Sequence, residues 1–169
     1  MAACSSSTPH RCPLQFSPSA AVQETTIPEI VSQYAEMAAH LWLIRDRAVH
    51  APHYSLKDLR ALDERIDAHW DGLRIAGQTG LNLCLEQLTK TDPGTFFAAA
   101  LVAQEQNPEL LFELAAWAAV EPSLARPLVA ALCWQGARAA QPVATELMAS
   151  SDESARYLGL STAACLRLP

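Results

Sequence analysis

Long apolar runs are absent from this 169-residue chain, although half of its residues are hydrophobic. The best candidate, LLFELAAWAAV at 110–120, is interrupted by Glu113 and falls short of the roughly 20 apolar residues that span a bilayer. A basic start followed by an apolar stretch, which would indicate a secretory signal, is also missing. We therefore predict a cytoplasmic protein without a membrane partner.

Basic residues are few. Twelve Lys and Arg stand against 18 Asp and Glu, giving a formal net charge of -6. Affinity for a phosphate backbone comes mostly from Lys and Arg side chains that neutralise phosphates. The charge balance therefore argues against a nucleic-acid partner.

Motifs for catalysis and cofactor binding are missing as well. The chain has no G-x-S-x-G, no P-loop and no C-x-x-C, and GLRIAGQTG at 72–80 lacks the strand that a dinucleotide fingerprint requires. The pattern predicts a protein that is not an enzyme, with no cofactor, catalytic or metal-binding residues. Three of the five cysteines lie among Leu and Ala, where a buried, unreactive thiol is expected: Cys84, Cys133 and Cys165, but not Cys4 or Cys12.

Strand patterns are equally scarce, because β-branched residues are few and no apolar–polar alternation is long enough. Residues 1–26, rich in Ser, Thr, Pro and Ala, are expected to form a flexible leader. A capping box at Thr26 and Glu29 then predicts a helix to about Val49, and Ser55 begins another. The expected buried stripes are Ile30, Tyr34, Met37, Leu41 and Ile44 on the first helix, and Leu56, Leu59, Leu62, Ile66, Trp70 and Leu73 on the second.

Short helices are predicted in the second half of the chain. Polar residues followed by Pro, or the pair Ser151-Asp152, indicate helix starts near residues 92, 107, 121, 141 and 151. The spacing of about 30 residues between alternate starts is typical of stacked helix pairs. We predict an all-α protein of seven or eight helices, with a long hairpin region over 27–90 and HEAT-like α-solenoid pairs over 91–169, packed as one domain.

A resemblance supports this architecture. HLWLIRDRAVHAPHYSLKDLRALDERIDAHWDGLRIAG at 40–77, followed by DPGTFFAAALVA at 92–103, resembles the N-terminal part of a proteobacterial family of HEAT-like repeat proteins. The function of that family is uncharacterised, and its genes often lie near type VI secretion genes. The resemblance implies a helical-repeat fold and a genomic setting, but no catalytic residues.

The stretch 45–74 holds the densest charge and histidine. His50 and His53 could ligate a metal, but Pro52 between them favours a structured turn. Asp63, Asp67 and Asp71 form one helical stripe that could bind a cation or perform acid–base chemistry. We interpret that stripe instead as a solvated face, compensated by Arg60 and Arg74 on the same helix. His40 and His69 are interpreted as semi-buried packing residues.

The function predicted from these features is non-catalytic protein binding. In the genomic setting that the resemblance implies, the partner is another bacterial protein, a type VI secretion effector encoded nearby, and this chain is an immunity protein that neutralises it. An adaptor or chaperone that loads the effector is an alternative, as is an enzyme related to HEAT-repeat lyases that attach bilin chromophores. The expected partner-binding residues are Glu105, Glu109, Glu113, Trp117, Trp134 and Glu146.

Overall fold

The computed structural model describes residues 27–88 and 92–168. These residues form eight α-helices and one short 3-10 helix, with no strand among them, which confirms the all-α prediction and the helix count. The predicted leader, 1–26, lies outside the described residues. The α-helices are α1 (Pro28–Ala48), α2 (Leu56–Ile75), α3 (Gln78–Gln87), α4 (Pro93–Gln106), α5 (Pro108–Val120), α6 (Ala125–Trp134), α7 (Ala137–Ala149) and α8 (Glu153–Leu166), with the 3-10 helix at Pro122–Leu124.

The first two helices begin in different ways. Ser55 caps α2 with a full capping box, in which the Asp58 amide donates to Oγ of Ser55 and the Ser55 amide donates to the Asp58 carboxylate. At α1 the N-cap residue is Ile27, whose side chain makes no capping hydrogen bond. The predicted cap residue, Thr26, lies outside the described residues.

The buried face of α1 is broader than the predicted stripe. Of the predicted residues, Leu41 is buried, Tyr34, Met37 and Ile44 pack partly buried against the core, and Ile30 is 42% exposed. The buried face also includes residues that were not predicted: Val31, Ala35, Ala38 and Trp42. The small side chains face inward because α4 comes very close to α1. A Cβ placed on Gly94 of α4 would lie only 2.6 Å from the Ala39 carbonyl oxygen.

The α2 stripe is confirmed at its centre. Leu62, Ile66 and Leu73 are buried, and Leu59 and Trp70 pack partly buried against the core. Leu56, the first residue of the helix, is 86% exposed. The stripe therefore orients α2 correctly except at its N-terminal end.

Most of the predicted helix starts are confirmed. Asp92 and Asn107 cap α4 and α5 through amides three residues later, and Asp152 caps α8 in the same way. Glu121 precedes the 3-10 turn instead of a full helix.

The predicted start at Gln141-Pro142 is wrong, because Pro142 lies inside α7. That helix begins at Ala137, directly after Gly136. Gly136 has a φ of +85°, a backbone conformation that separates α7 from the preceding helix. A proline in the sixth position of a helix removes one backbone hydrogen bond without preventing the helix. The pattern of a polar residue followed by Pro was therefore misleading at this position.

The core is organised around α4. Every residue from Phe96 to Gln104 is buried, and α4 packs against α1, α2, α3, α5 and α6. A helix that is apolar on all sides is expected only where neighbours surround it. Beyond α4, α8 packs against α5, α6 and α7. No helix in the described ranges combines the length and the hydropathy required to cross a membrane.

Candidate functional site

A large concavity lies between α6 and α8 and is closed at one side by α1 and α2. Its volume is about 1100 Å³. We call it the α6–α8 cleft and define it by Cys133 and Trp134 on α6 and by Tyr157, Ser161 and Cys165 on α8. Its remaining lining combines apolar side chains of α1, α5 and α6 with charged side chains of α1, α2, α6 and α8.

Trp134 is held in one orientation by three neighbours. Its Nε1–H donates a hydrogen bond of 2.7 Å to Oδ1 of Asp67 on α2. Its ring meets Phe97 of α4 edge-on with 5.4 Å between centroids, and the Arg45 guanidinium carbon lies 5.8 Å from its centroid. Edge-on aromatic pairs and cation–π contacts of this kind are favourable. The half-buried indole is therefore a fixed part of the cleft wall.

Two arginines on the rim of the cleft are paired with carboxylates. Arg45 Nε donates to Asp63 Oδ1 at 2.9 Å, and both side chains are about one-third exposed. Arg126 Nε donates to Asp46 Oδ1 at 2.6 Å, and its Nη2 lies 3.1 Å from Nε2 of His50. These pairs tie α1 to α2 and α1 to α6, so each guanidinium is largely neutralised at the mouth of the cleft.

The aspartate stripe of α2 is thus only partly the solvated face that the sequence predicted. Asp71 pairs with Arg74 on the same helix at 3.2 Å, as expected, and Arg60 pairs with Glu64. Asp63 and Asp67 instead bind groups of α1 and α6. The interpretation as an internally compensated stripe is wrong for these two residues, because their partners come from distant parts of the chain.

The histidines of the described residues do not form a metal site. Across residues 27–88 and 92–168, no three His, Cys, Asp or Glu side chains are arranged to hold a metal ion. His53 packs against Tyr54 with 4.9 Å between ring centroids, in the turn that the sequence predicted. His69 is half-buried against Tyr34, and its pKa is lowered by burial and by the nearby Arg65 charge. His40 is exposed, so its prediction as a packing residue is wrong.

The three described cysteines differ in environment. Cys84 is fully buried, and burial raises the pKa of its thiol to about 12. This confirms the prediction of a buried thiol with low reactivity. Cys133 is half-buried; its thiol pKa is raised to about 12 by burial and by the hydrogen bond and charge of the Cys165 thiol. Cys165 is exposed in the cleft wall. Its prediction as a core residue is wrong, because it lies on the cleft side of α8.

The predicted partner-binding residues do not lie together. Trp134 lines the α6–α8 cleft, whereas Glu146 lines a smaller groove of about 580 Å³ between α5, α7 and α8. Trp117 is half-buried and meets Phe96 of the core edge-on. The other three acidic residues are exposed on α4 and α5, outside both grooves: Glu105, Glu109 and Glu113.

The cleft residue that the sequence reasoning missed is Tyr157. It is 64% exposed and lines the cleft from α8. Its position in the sequence offered a weak signal, because Tyr157 directly precedes the buried Leu158 and points away from the α8 core stripe. An aromatic side chain so placed is a natural interface anchor.

Comparison with known proteins returned no match, whether to a protein-family model, to a curated protein or to a solved structure.

Proposed function

We propose that this protein is a non-catalytic binding module that holds a segment of another bacterial protein in the α6–α8 cleft. The observation that carries the proposal is that a fixed Trp134 and a largely exposed Tyr157 line the same concavity. Aromatic side chains at the centre of a concave surface supply most of the energy of many protein interfaces.

The charges of the cleft favour a particular kind of segment. Arg45 and Arg126 are each neutralised by an aspartate. Glu153 lines the same cleft and is exposed, and among the described residues it has no ion-pair partner. A segment with an apolar side chain for the two aromatic rings and a Lys or Arg for Glu153 would complement this lining.

The packing order of the helices supports the HEAT-like solenoid within this proposal. α2 packs on α4, α4 on α6, and α6 on α8, as the second helices of successive stacked pairs do. In this reading α1 and α2 form the long N-terminal hairpin and the later helices form the repeats. Such stacks commonly bind their partners along one continuous face.

The partner that we propose is a type VI secretion effector encoded nearby, on the basis of the resemblance over residues 40–103. The protein would act as an immunity protein in the cytoplasm of the producing cell. Neutralisation requires only that the bound effector surface be covered, so the cleft needs no chemistry of its own.

Growth rescue tests the proposal. The neighbouring effector gene is expressed in a sensitive host with and without this protein, and complex formation is measured by titration calorimetry. We expect rescue by the wild-type chain. Tyr157→Ala should weaken binding about 30-fold, the equivalent of about 2 kcal/mol for an interface hot spot.

The matched control is Leu160→Ala, which removes a side chain that is 58% exposed on the same helix but does not line the cleft. Its affinity should equal that of the wild type. Unchanged affinity in Tyr157→Ala, or an equal loss of affinity in both variants, would show that the partner does not bind in the α6–α8 cleft. Binding without growth rescue would contradict the immunity role and leave binding itself intact.

A further inference from the structure

Two thiols meet in the wall of the α6–α8 cleft. Cys133 lies near the end of α6 and Cys165 near the end of α8, and both line the cleft. The Sγ atom of Cys133 is 4.0 Å from the carbonyl oxygen of Thr162, in the turn that precedes Cys165. The neighbouring Cys165 thiol is one of the groups that raise the pKa of Cys133, and α6 packs directly against α8. Cys133 and Cys165 are 32 residues apart in the sequence, so tertiary packing brings the two thiols together.

We propose that Cys133 and Cys165 form an oxidisable dithiol, which a peroxide converts into an intramolecular disulfide joining α6 to α8. Thiols react as thiolates, and reaction also requires access to the oxidant. Cys165 is exposed and Cys133 is half-buried, so Cys165 is the entry thiol and Cys133 is the resolving thiol. The site needs no partner protein and stands apart from the proposed function.

The reaction balances as a two-electron oxidation. The Cys165 thiolate attacks the peroxide, the O–O bond breaks, and a sulfenic acid forms at Cys165 while water leaves. Cys133 then attacks the Cys165 sulfur, the S–S bond forms, the S–O bond breaks, and the Cys133 proton leaves with hydroxide as a second water. The two thiols are oxidised and one hydrogen peroxide is reduced to two waters.

The two thiols should differ strongly in reactivity before oxidation. Burial and the neighbouring Cys165 thiol raise the pKa of Cys133 to about 12, so a smaller fraction of it is thiolate at neutral pH. The higher intrinsic nucleophilicity of such a thiolate offsets only part of this loss. Native Cys133 should therefore react with a small alkylating reagent more slowly than a solvent-exposed thiol, and it stays reduced until Cys165 has been oxidised.

The experiment uses the full chain with Cys4→Ser and Cys12→Ser, which leaves three of the five cysteines. The reduced protein is treated with hydrogen peroxide, alkylated under denaturing conditions and mapped by mass spectrometry. We expect a Cys133–Cys165 cross-linked peptide, two hydrogen masses lighter than the reduced pair, which dithiothreitol reverses. Cys84 should remain a thiol and serves as the internal control, because it is buried.

Single variants assign the two roles. In Cys133→Ser the sulfenic acid at Cys165 should persist and be trapped by dimedone, whereas in Cys165→Ser peroxide should leave Cys133 largely reduced. Circular dichroism confirms that both variants are folded. Disulfide-linked dimers in place of the internal cross-link would overturn the proposal. So would oxidation of Cys165 to the sulfinic acid with Cys133 still reduced, or a trapped sulfenic acid at Cys133 in the Cys165→Ser variant.

Discussion

The hydrogen bond between Asp67 and Trp134 fixes the cleft wall, and its strength can be measured by a double-mutant cycle. It joins α2 to α6 across 67 positions of sequence at 2.7 Å. Asp67→Ala removes the acceptor, Trp134→Phe removes the donor while keeping an aromatic ring, and the double variant removes both. The cycle cancels the loss of indole area and of the Arg45 contact, because these losses occur in the single and the double variant alike.

The expected magnitude follows from the charge and exposure of the pair. A hydrogen bond to a charged group contributes about 1.5–3 kcal/mol when shielded from water. Asp67 is exposed and Trp134 half-buried, so solvent competes for the carboxylate and a coupling energy of about 1 kcal/mol is expected. With a urea m-value of about 2 kcal/mol/M, Asp67→Ala alone should lower the unfolding midpoint by about 0.5 M.

Urea unfolding followed by the helical circular dichroism signal provides the measurement. Asp71→Ala is the matched control, because Asp71 lies one turn further along the same stripe and pairs only within its own helix. Its cost should stay below about 0.5 kcal/mol. A coupling energy under about 0.3 kcal/mol, or equal costs for Asp67→Ala and Asp71→Ala, would refute the role assigned to this bond.

Three further outcomes are expected. Gly94→Ala should destabilise the protein by about 1–3 kcal/mol, because its Cβ would lie 2.6 Å from the Ala39 carbonyl oxygen; thermal unfolding measures the loss. Ser55→Ala should cost about 1 kcal/mol in urea unfolding, because the Asp58 amide loses its acceptor. The pKa of His69 is lowered below 6.5 in the folded protein, so stability should be full above that pH and fall as the pH drops through it; His69→Gln should flatten this dependence.

Helix caps could be predicted from the sequence because the capping side chain and the amide that it binds lie within one helical turn. Ser55, Asp92 and Asn107 each accept a bond from an amide three residues later, so a four-residue window contains the whole interaction. The all-α class followed from the absence of strand patterns in the same direct way. The helix start predicted at Gln141-Pro142 was wrong because α7 begins five residues earlier than Pro142, at Ala137, with Gly136 as its N-cap.

The full extent of the buried face of α1 was decided by tertiary packing. The predicted stripe is buried at Leu41 and partly buried at Tyr34, Met37 and Ile44, but the neighbouring Ala-rich stripe is buried as well, and periodicity alone did not indicate it. The close approach of α4 at Gly94 selects the smaller side chains, because larger ones would clash with the facing backbone.

The candidate site depends on the same kind of long-range information. The sequence by itself determined the all-α class, the caps at Ser55, Asp92 and Asn107, and the presence of Trp134 and three cysteines within apolar segments. Packing α6 against α8 and α2 determined that Trp134 meets Asp67, that Cys133 meets Cys165, and that Tyr157 faces the cleft. Each of these pairs joins residues from different helices, and the free energy that brings them together comes from burial of the shared core, which no local window of sequence contains.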